Sequence, residues 1–228
     1  MTKPQQSLNA SRRPKSLSNR TIQNRSKRER LDSTFQIPRH RLTDADSLEF
    51  FTSLEVEAGS KGDILYSIGL EVTRGCRSKP FQSFVETLEY KKVAIPPLPP
   101  DVFDLLGSVY QFLNSKRENL EGGIFYTGEG TASIFVDDLS FDEDETLIDP
   151  SCGSGAFLFA SRAKADQIVG IDRDPLAIMI AKFNYFKKFP DGPEPQLYCA
   201  DFFEWSKLNS ERRFDYVIGN PPFGAVSP

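Results

Sequence analysis

From Thr146 onward short apolar runs alternate with helical stretches, and this alternation restricts the chain more than any other feature of its sequence. The apolar runs are Thr146 to Asp149, Gln167 to Asp172, Gln196 to Ala200 and Phe214 to Gly219. Between them a helix opens at Ala156 and another covers Pro175 to Phe189. Strands separated in this way cannot pair as hairpins, so they lie parallel with helices on the faces of the sheet. The expected fold is α/β, a doubly wound parallel sheet of four strands with the first strand inside it and the fourth at one edge. Ligands of such sheets sit beyond the carboxyl ends of the strands, which directs attention to the residues placed there.

The first strand, TLID, runs into Pro150-Ser151-Cys152-Gly153-Ser154-Gly155 and then into a helix. Gly153 and Gly155 allow a sharp turn and a close approach of backbone to ligand. The turn is not GxGxxG, and a glycine-rich strand-to-helix turn by itself has a purely steric reading. The second strand ends at Asp172 in IVGIDRDP, where a carboxylate can accept both hydroxyls of a ribose. Asp174, followed by Pro175, reads instead as a helix N-cap with proline in the first turn. Asp201 closes the third strand in LYCADFFEW, where it can accept from an adenine amino group while Phe202 covers the ring. Alone, Asp201 would read as a loop cap. The fourth strand delivers Asn220-Pro221-Pro222-Phe223. The Asn220 amide oxygen and the Pro221 carbonyl can accept both hydrogens of an exocyclic amine, and Phe223 offers a face for a planar base.

Composition excludes much else. His40 is the only histidine and Cys76, Cys152 and Cys199 lack metal-ligand spacing, which argues against zinc, a Ser-His-Asp triad or a Cys-His pair. No membrane-length apolar run and no secretory signal occur, so an intracellular, cytoplasmic setting is expected. Charge is uneven: Met1 to Arg41 holds 11 of the 28 basic residues and two of the 32 acids, leaving 17 bases and 30 acids beyond it. That segment is expected to be a disordered basic arm, either a solubilising tail or a phosphate-binding one, with a transit peptide as a lesser alternative.

Residues 42–100 are expected to form an extension with strand-like stretches at Asp63 to Thr73 and Phe84 to Tyr90, ending in the stiff Ile95 to Pro100 linker. Asp101 to Leu120 carries helical spacing with Asp101 as a cap. Residues 101–228 are expected to form the sheet-bearing domain.

DPSCGSGAFL, GIDRDPLA, ADFF and NPPF, in this order, resemble motifs I to IV of the gamma-type N6-adenine DNA methyltransferases of restriction-modification systems. LLGSVYQFLNSKRENLEGGIFYTGEG resembles the helix and motif X that precede them, and the likeness covers Asp101 to Phe223. The resemblance implies S-adenosyl-L-methionine as cofactor, double-stranded DNA as substrate and adenine N6 as acceptor. It implies that Tyr126, Thr127, Asp149, Ser151, Cys152, Gly153, Gly155, Asp172, Asp201 and Phe202 bind the cofactor. Asn220, Pro221, Pro222 and Phe223 would be the catalytic set, with no metal. Two departures stand out: Gly128 replaces the family's proline, and Arg173 stands where an apolar residue usually packs on the cofactor adenine. The family's sheet and target-recognition segments continue past motif IV, whereas Gly224 to Pro228 follow here. The expectation is therefore a fold completed by a second polypeptide, such as a restriction or specificity subunit, or a catalytically incomplete fragment that binds cofactor or partner only. RNA and protein-glutamine methyltransferases share the Asn-Pro-Pro logic, but the FYT element, the DPSCGSG turn and Phe223 favour DNA adenine.

Overall fold

The computed structural model describes residues 49–51, 53–54, 59–100, 104–115, 129–136, 139 and 141–221, so the basic arm lies outside the described residues. Four strands form one parallel sheet: β1 (Leu147–Asp149), β2 (Ile168–Asp172), β3 (Gln196–Cys199) and β4 (Tyr216–Val217). Their order is β3-β2-β1-β4, with the first strand inside the sheet and the fourth at one edge as expected. Leu147 lies opposite Ile168 and Tyr216, and Asp172 lies opposite Cys199, which brings the carboxyl ends of the strands to one edge of the sheet.

Side chains on successive strand positions go to opposite faces, and two separate apolar clusters result. Leu147 and Ile168 join the larger cluster, with Leu158 and Leu197. Ile148, Val169 and Ile171 join the smaller one, which Trp205 closes. Trp205 comes from α7 (Phe202–Leu208), on the side opposite α6 (Pro175–Lys188). α6 is almost wholly apolar over its first three turns, and Ile178, Met179, Ile180, Phe183 and Phe186 are all buried. A short α5 (Ala156–Ala160) leaves the glycine turn, and α4 (Glu129–Val136) packs Ala132 and Val136 against Phe157. The sequence reading assigned no element to α4.

The extension differs from its expected form. Asp63 to Thr73 is not a strand but most of α1 (Lys61–Val72), and Phe84 to Tyr90 begins in α2 (Lys79–Glu86) and continues as irregular chain. The apolar, β-prone run ILYSIGLEV suggests a strand, yet Ile64, Leu65 and Ile68 recur at helical spacing and are buried. A capping box settles the start: Ser60 Oγ accepts from Asp63 N at 3.1 Å while Asp63 accepts from Ser60 N at 3.2 Å. Pro80 in the first turn of α2 and the Phe81, Phe84 pair favour helix in the same way. The irregular chain then docks on α1, with Lys91 N donating to Asp63 Oδ1 at 2.8 Å and Val93 N to Ser67 Oγ at 2.9 Å.

These helices share the core of the sheet. Phe84 stacks on Phe186 at 5.9 Å between centroids and meets Phe183 edge-on at 5.0 Å. A Cβ on Gly69 would lie 2.4 Å from the Phe183 ring, so α1 crosses α6 at that glycine. α3 (Leu105–Ser115) buries Leu105, Leu106, Val109 and Tyr110 in the same cluster; of the rest of the expected Asp101 to Leu120 helix, Asp104 is a turn residue with φ of 44° and residues 101–103 and 116–120 lie outside the described residues. No described helix is long and apolar enough to cross a membrane.

Candidate active site

A residue marked by the sequence stands at the end of β1 and β2, Asp149 and Asp172, and shortly after the end of β3 and β4, Asp201 and Asn220. At the end of β1, Asp149 is 1 % exposed and accepts Ser151 N on Oδ1 at 2.9 Å. Burial pushes its carboxyl up to about 7, and the neighbouring Asp172 carboxylate acts in the same direction. The following turn is tied to β2 by Cys152 N donating to Ile171 O at 2.8 Å, and closes on itself through Gly155 N to Cys152 O at 2.8 Å. Gly153 and Gly155 adopt φ of 53° and 86°, and a Cβ on Gly155 would fall 2.1 Å from the Phe159 ring. Only glycine meets both demands at Gly155. Burial raises the pKa of the Cys152 thiol, which holds it as an inert thiol.

At the end of β2 the two acids divide their work. Asp172 accepts Gly153 N on Oδ2 and Asp174 N on Oδ1, each at 2.9 Å, so it joins the glycine turn to the start of α6. Each oxygen keeps a lone pair for a further donor. Asp174 caps α6 through Leu176 N at 2.9 Å and takes the Tyr110 hydroxyl on its other oxygen. Asp201, after β3, caps α7 through Oδ1, which accepts Phe203 N at 2.9 Å and Glu204 N at 3.2 Å. Its Oδ2 lies 3.6 Å from Arg173 Nε, a side chain that is 80 % exposed. Phe202 leans on the smaller apolar cluster and contacts Phe203 at 5.8 Å.

After β4 the chain passes Gly219, where a Cβ would meet Asp149 Oδ1 at 2.7 Å, and reaches the exposed Asn220 and Pro221. Pro222, Phe223, Tyr126 and Thr127 lie outside the described residues. Ser151 Oγ is buried with no hydrogen-bond partner among the described residues. A buried hydroxyl left unpaired costs roughly 1–3 kcal/mol, and its place within the turn suits a polar ligand group there. Sequence reasoning passed over Asp104 and Asn184, which bond Ser154 in this turn, and Tyr110, which donates to Asp174. The one cue was Asn184, a polar residue amid the apolar run of α6.

A glycine turn, a strand-end acid beside it and an exposed Asn-Pro beyond the adjacent strand mark an α/β domain whose marked residues gather at the carboxyl ends of the strands, where such sheets take their ligands. Residues 101–226 match the family N-6 DNA Methylase, and the chain belongs to it. It is 31% identical over 111 residues to the type II methyltransferase M.CvrRI of Paramecium bursaria Chlorella virus XZ-6E, covering 48% of this chain and 26% of that protein. It is 31% identical over 134 residues to the type I restriction enzyme MjaIX methylase subunit of Methanocaldococcus jannaschii, covering 54% and 23%. With the type II methyltransferase M.VspI of Vibrio sp. (strain 343) it shares 32% over 127 residues, covering 54% and 31%. The chain thus spans less than a third of the length of each of these relatives.

Proposed function

We propose that this chain binds S-adenosyl-L-methionine and contributes the residues that direct a methyl group to N6 of an adenine in double-stranded DNA. One observation carries the reading. Asp201, Asp172, the Ser151–Gly155 turn and Asn220 follow the carboxyl ends of β3, β2, β1 and β4, neighbouring parallel strands, and so form a row along one edge. The cofactor, when bound, supplies an electrophilic methyl on a sulfonium, so no protein nucleophile is required.

The residues present fit such a ligand. The remaining lone pairs of Asp172 would accept the ribose hydroxyls, and Ser151 Oγ, without a partner among the described residues, would give the turn a polar contact. Asp201 Oδ2, beside Arg173 Nε, would accept from the adenine amino group while Oδ1 stays on its cap. Cys152, Gly153 and Gly155 shape the backbone that the ligand approaches, Asp149 supports it from beneath, and Phe202 edges the adenine side. By resemblance to the family motif, Tyr126 and Thr127 would line the methionine end. On the DNA side, the Asn220 amide oxygen and the Pro221 carbonyl accept the two N6 hydrogens, which localises the nitrogen lone pair for attack. By resemblance to the family motif, Pro222 would stiffen these acceptors and Phe223 would stack on the base. Extruding the adenine from the duplex costs a few kcal/mol, which stacking partly offsets.

β4 favours a second reading. Val217 is 70 % exposed, and among the described residues β4 pairs only with β1. Such an edge invites another strand, so methyl transfer would await a partner polypeptide, for instance a specificity or restriction subunit. Calorimetry with S-adenosylhomocysteine and labelled-methyl transfer to duplex DNA test both readings together. Binding that Asp172→Ala removes, with transfer that Asn220→Ala abolishes while leaving binding intact, is the expected result. Binding without transfer by the chain alone favours the partnered form, and absence of binding sinks both.

A further inference from the structure

We infer that Asp104, which stands about 50 residues before the glycine turn and outside the family's motifs quoted above, is the positioning residue that sets the turn's conformation for cofactor. This rests on the cofactor reading of that turn. Asp104 Oδ2 accepts the hydroxyl of Ser154, the residue between the two glycines, and Oδ1 accepts Asn184 Nδ2 at 2.8 Å. Asn184 spends its amide on the same pair, donating also to Ser154 O at 3.0 Å. A closed triangle thereby joins the start of α3, the turn and the middle of α6.

Ser154 is 1 % exposed, so its side chain faces into the protein. A turn with glycines on both sides has more unfolded freedom to lose than any other sequence, and the Ser154 anchor restrains it where Gly153 N and Cys152 N do not reach.

Two further features show that the carboxylate is held in place for this purpose. Asp104 is the non-glycine residue with positive φ among the described residues, at 44°, a conformation that favours glycine. At Gly107, whose N–H donates to Asp104 Oδ1 at 2.9 Å, a Cβ would stand 2.2 Å from the Asp104 carboxylate. A residue that only capped α3 would need neither the strained backbone nor both oxygens turned toward residues 154 and 184.

The test compares Asp104→Ala, Asp104→Asn and Ser154→Ala with the parent in the full chain. Backbone amide exchange of Gly153 and Gly155 is read without ligand, and affinity for S-adenosylhomocysteine is read by calorimetry. Asp104→Ala and Ser154→Ala should speed exchange at Gly153 and Gly155 while strand amides keep their protection, and should weaken binding about tenfold or more. Asp104→Asn, which still offers an oxygen to Asn184 and a polar group to Ser154, should recover most of both. Unchanged turn exchange in Asp104→Ala overturns the inference. So does a loss of protection spread evenly over the sheet, which a merely structural role would produce. If the parent binds no S-adenosylhomocysteine, the cofactor reading fails, and the exchange result still decides whether Asp104 sets the turn.

Discussion

Asp149→Asn separates the charge of a buried strand-end acid from its shape. The native carboxyl is 1 % exposed, accepts Ser151 N at 2.9 Å and titrates at about 7 where an ordinary aspartate has 3.8. Because the folded value lies above the unfolded one, the native state binds the proton more tightly. The contribution to stability is then full below the unfolded value, declines as pH rises between the two and levels off above the folded value. The interval from 3.8 to about 7 amounts, at roughly 1.4 kcal/mol per unit, to about 4 kcal/mol. Asparagine keeps an oxygen for Ser151 N and has nothing to ionise, so its own cost is independent of pH. Urea unfolding of both ligand-free proteins from about pH 5 to about pH 8 gives two stability profiles. Their difference, parent minus variant, should fall by roughly 2–3 kcal/mol across that range, since titrations common to both cancel. A difference constant to within about 0.5 kcal/mol would show that the Asp149 carboxyl is ionised throughout, and that desolvation does not dominate its environment.

Gly69→Ala should destabilise the fold by about 1–3 kcal/mol despite alanine's better helix propensity, because the new methyl meets the buried Phe183 ring; chemical denaturation reads it. Asp174→Ala should cost about 1 kcal/mol in the same assay, from the lost cap on Leu176 N and the lost contact with the Tyr110 hydroxyl. Asp172→Ala should by contrast lose cofactor affinity, and tight binding by Asp172→Ala with loss in Asp174→Ala would reverse these roles. Deleting residues 1–41 should flatten the salt dependence of DNA binding without altering sequence preference, and an unchanged slope would make the arm a solubilising tail.

The strands and their terminal acids are legible in the sequence because each depends on a few adjacent residues. An apolar run, a Gly-rich turn or an Asp-Pro pair carries its own local cause, and Asp174 caps α6 as that pair implies. α1 is harder to read because its apolar density suits strand and helix alike, and the deciding signal is one short capping box, Ser60 as N-cap with Asp63 three residues on. Asp104 is harder still. Its partners lie 50 and 80 positions along the chain, and nothing near it in sequence records that a distant serine and asparagine will arrive there.

The contact of Phe84 with Phe183 and Phe186 bears on how the chain can be cut. A boundary at the proline segment looks natural, since it precedes every motif of the site. Yet a polypeptide begun at Asp101 would uncover the side of α6 that Leu65, Ile68, Phe81 and Phe84 now shield. Each such residue is worth roughly 1.5–3 kcal/mol of burial, more in sum than a small domain's net stability can readily spare. The helices that carry no chemistry are therefore inherited with the sheet as one folding unit, and shuffling the motif-bearing segment alone into another protein would require that protein to bring a replacement for them.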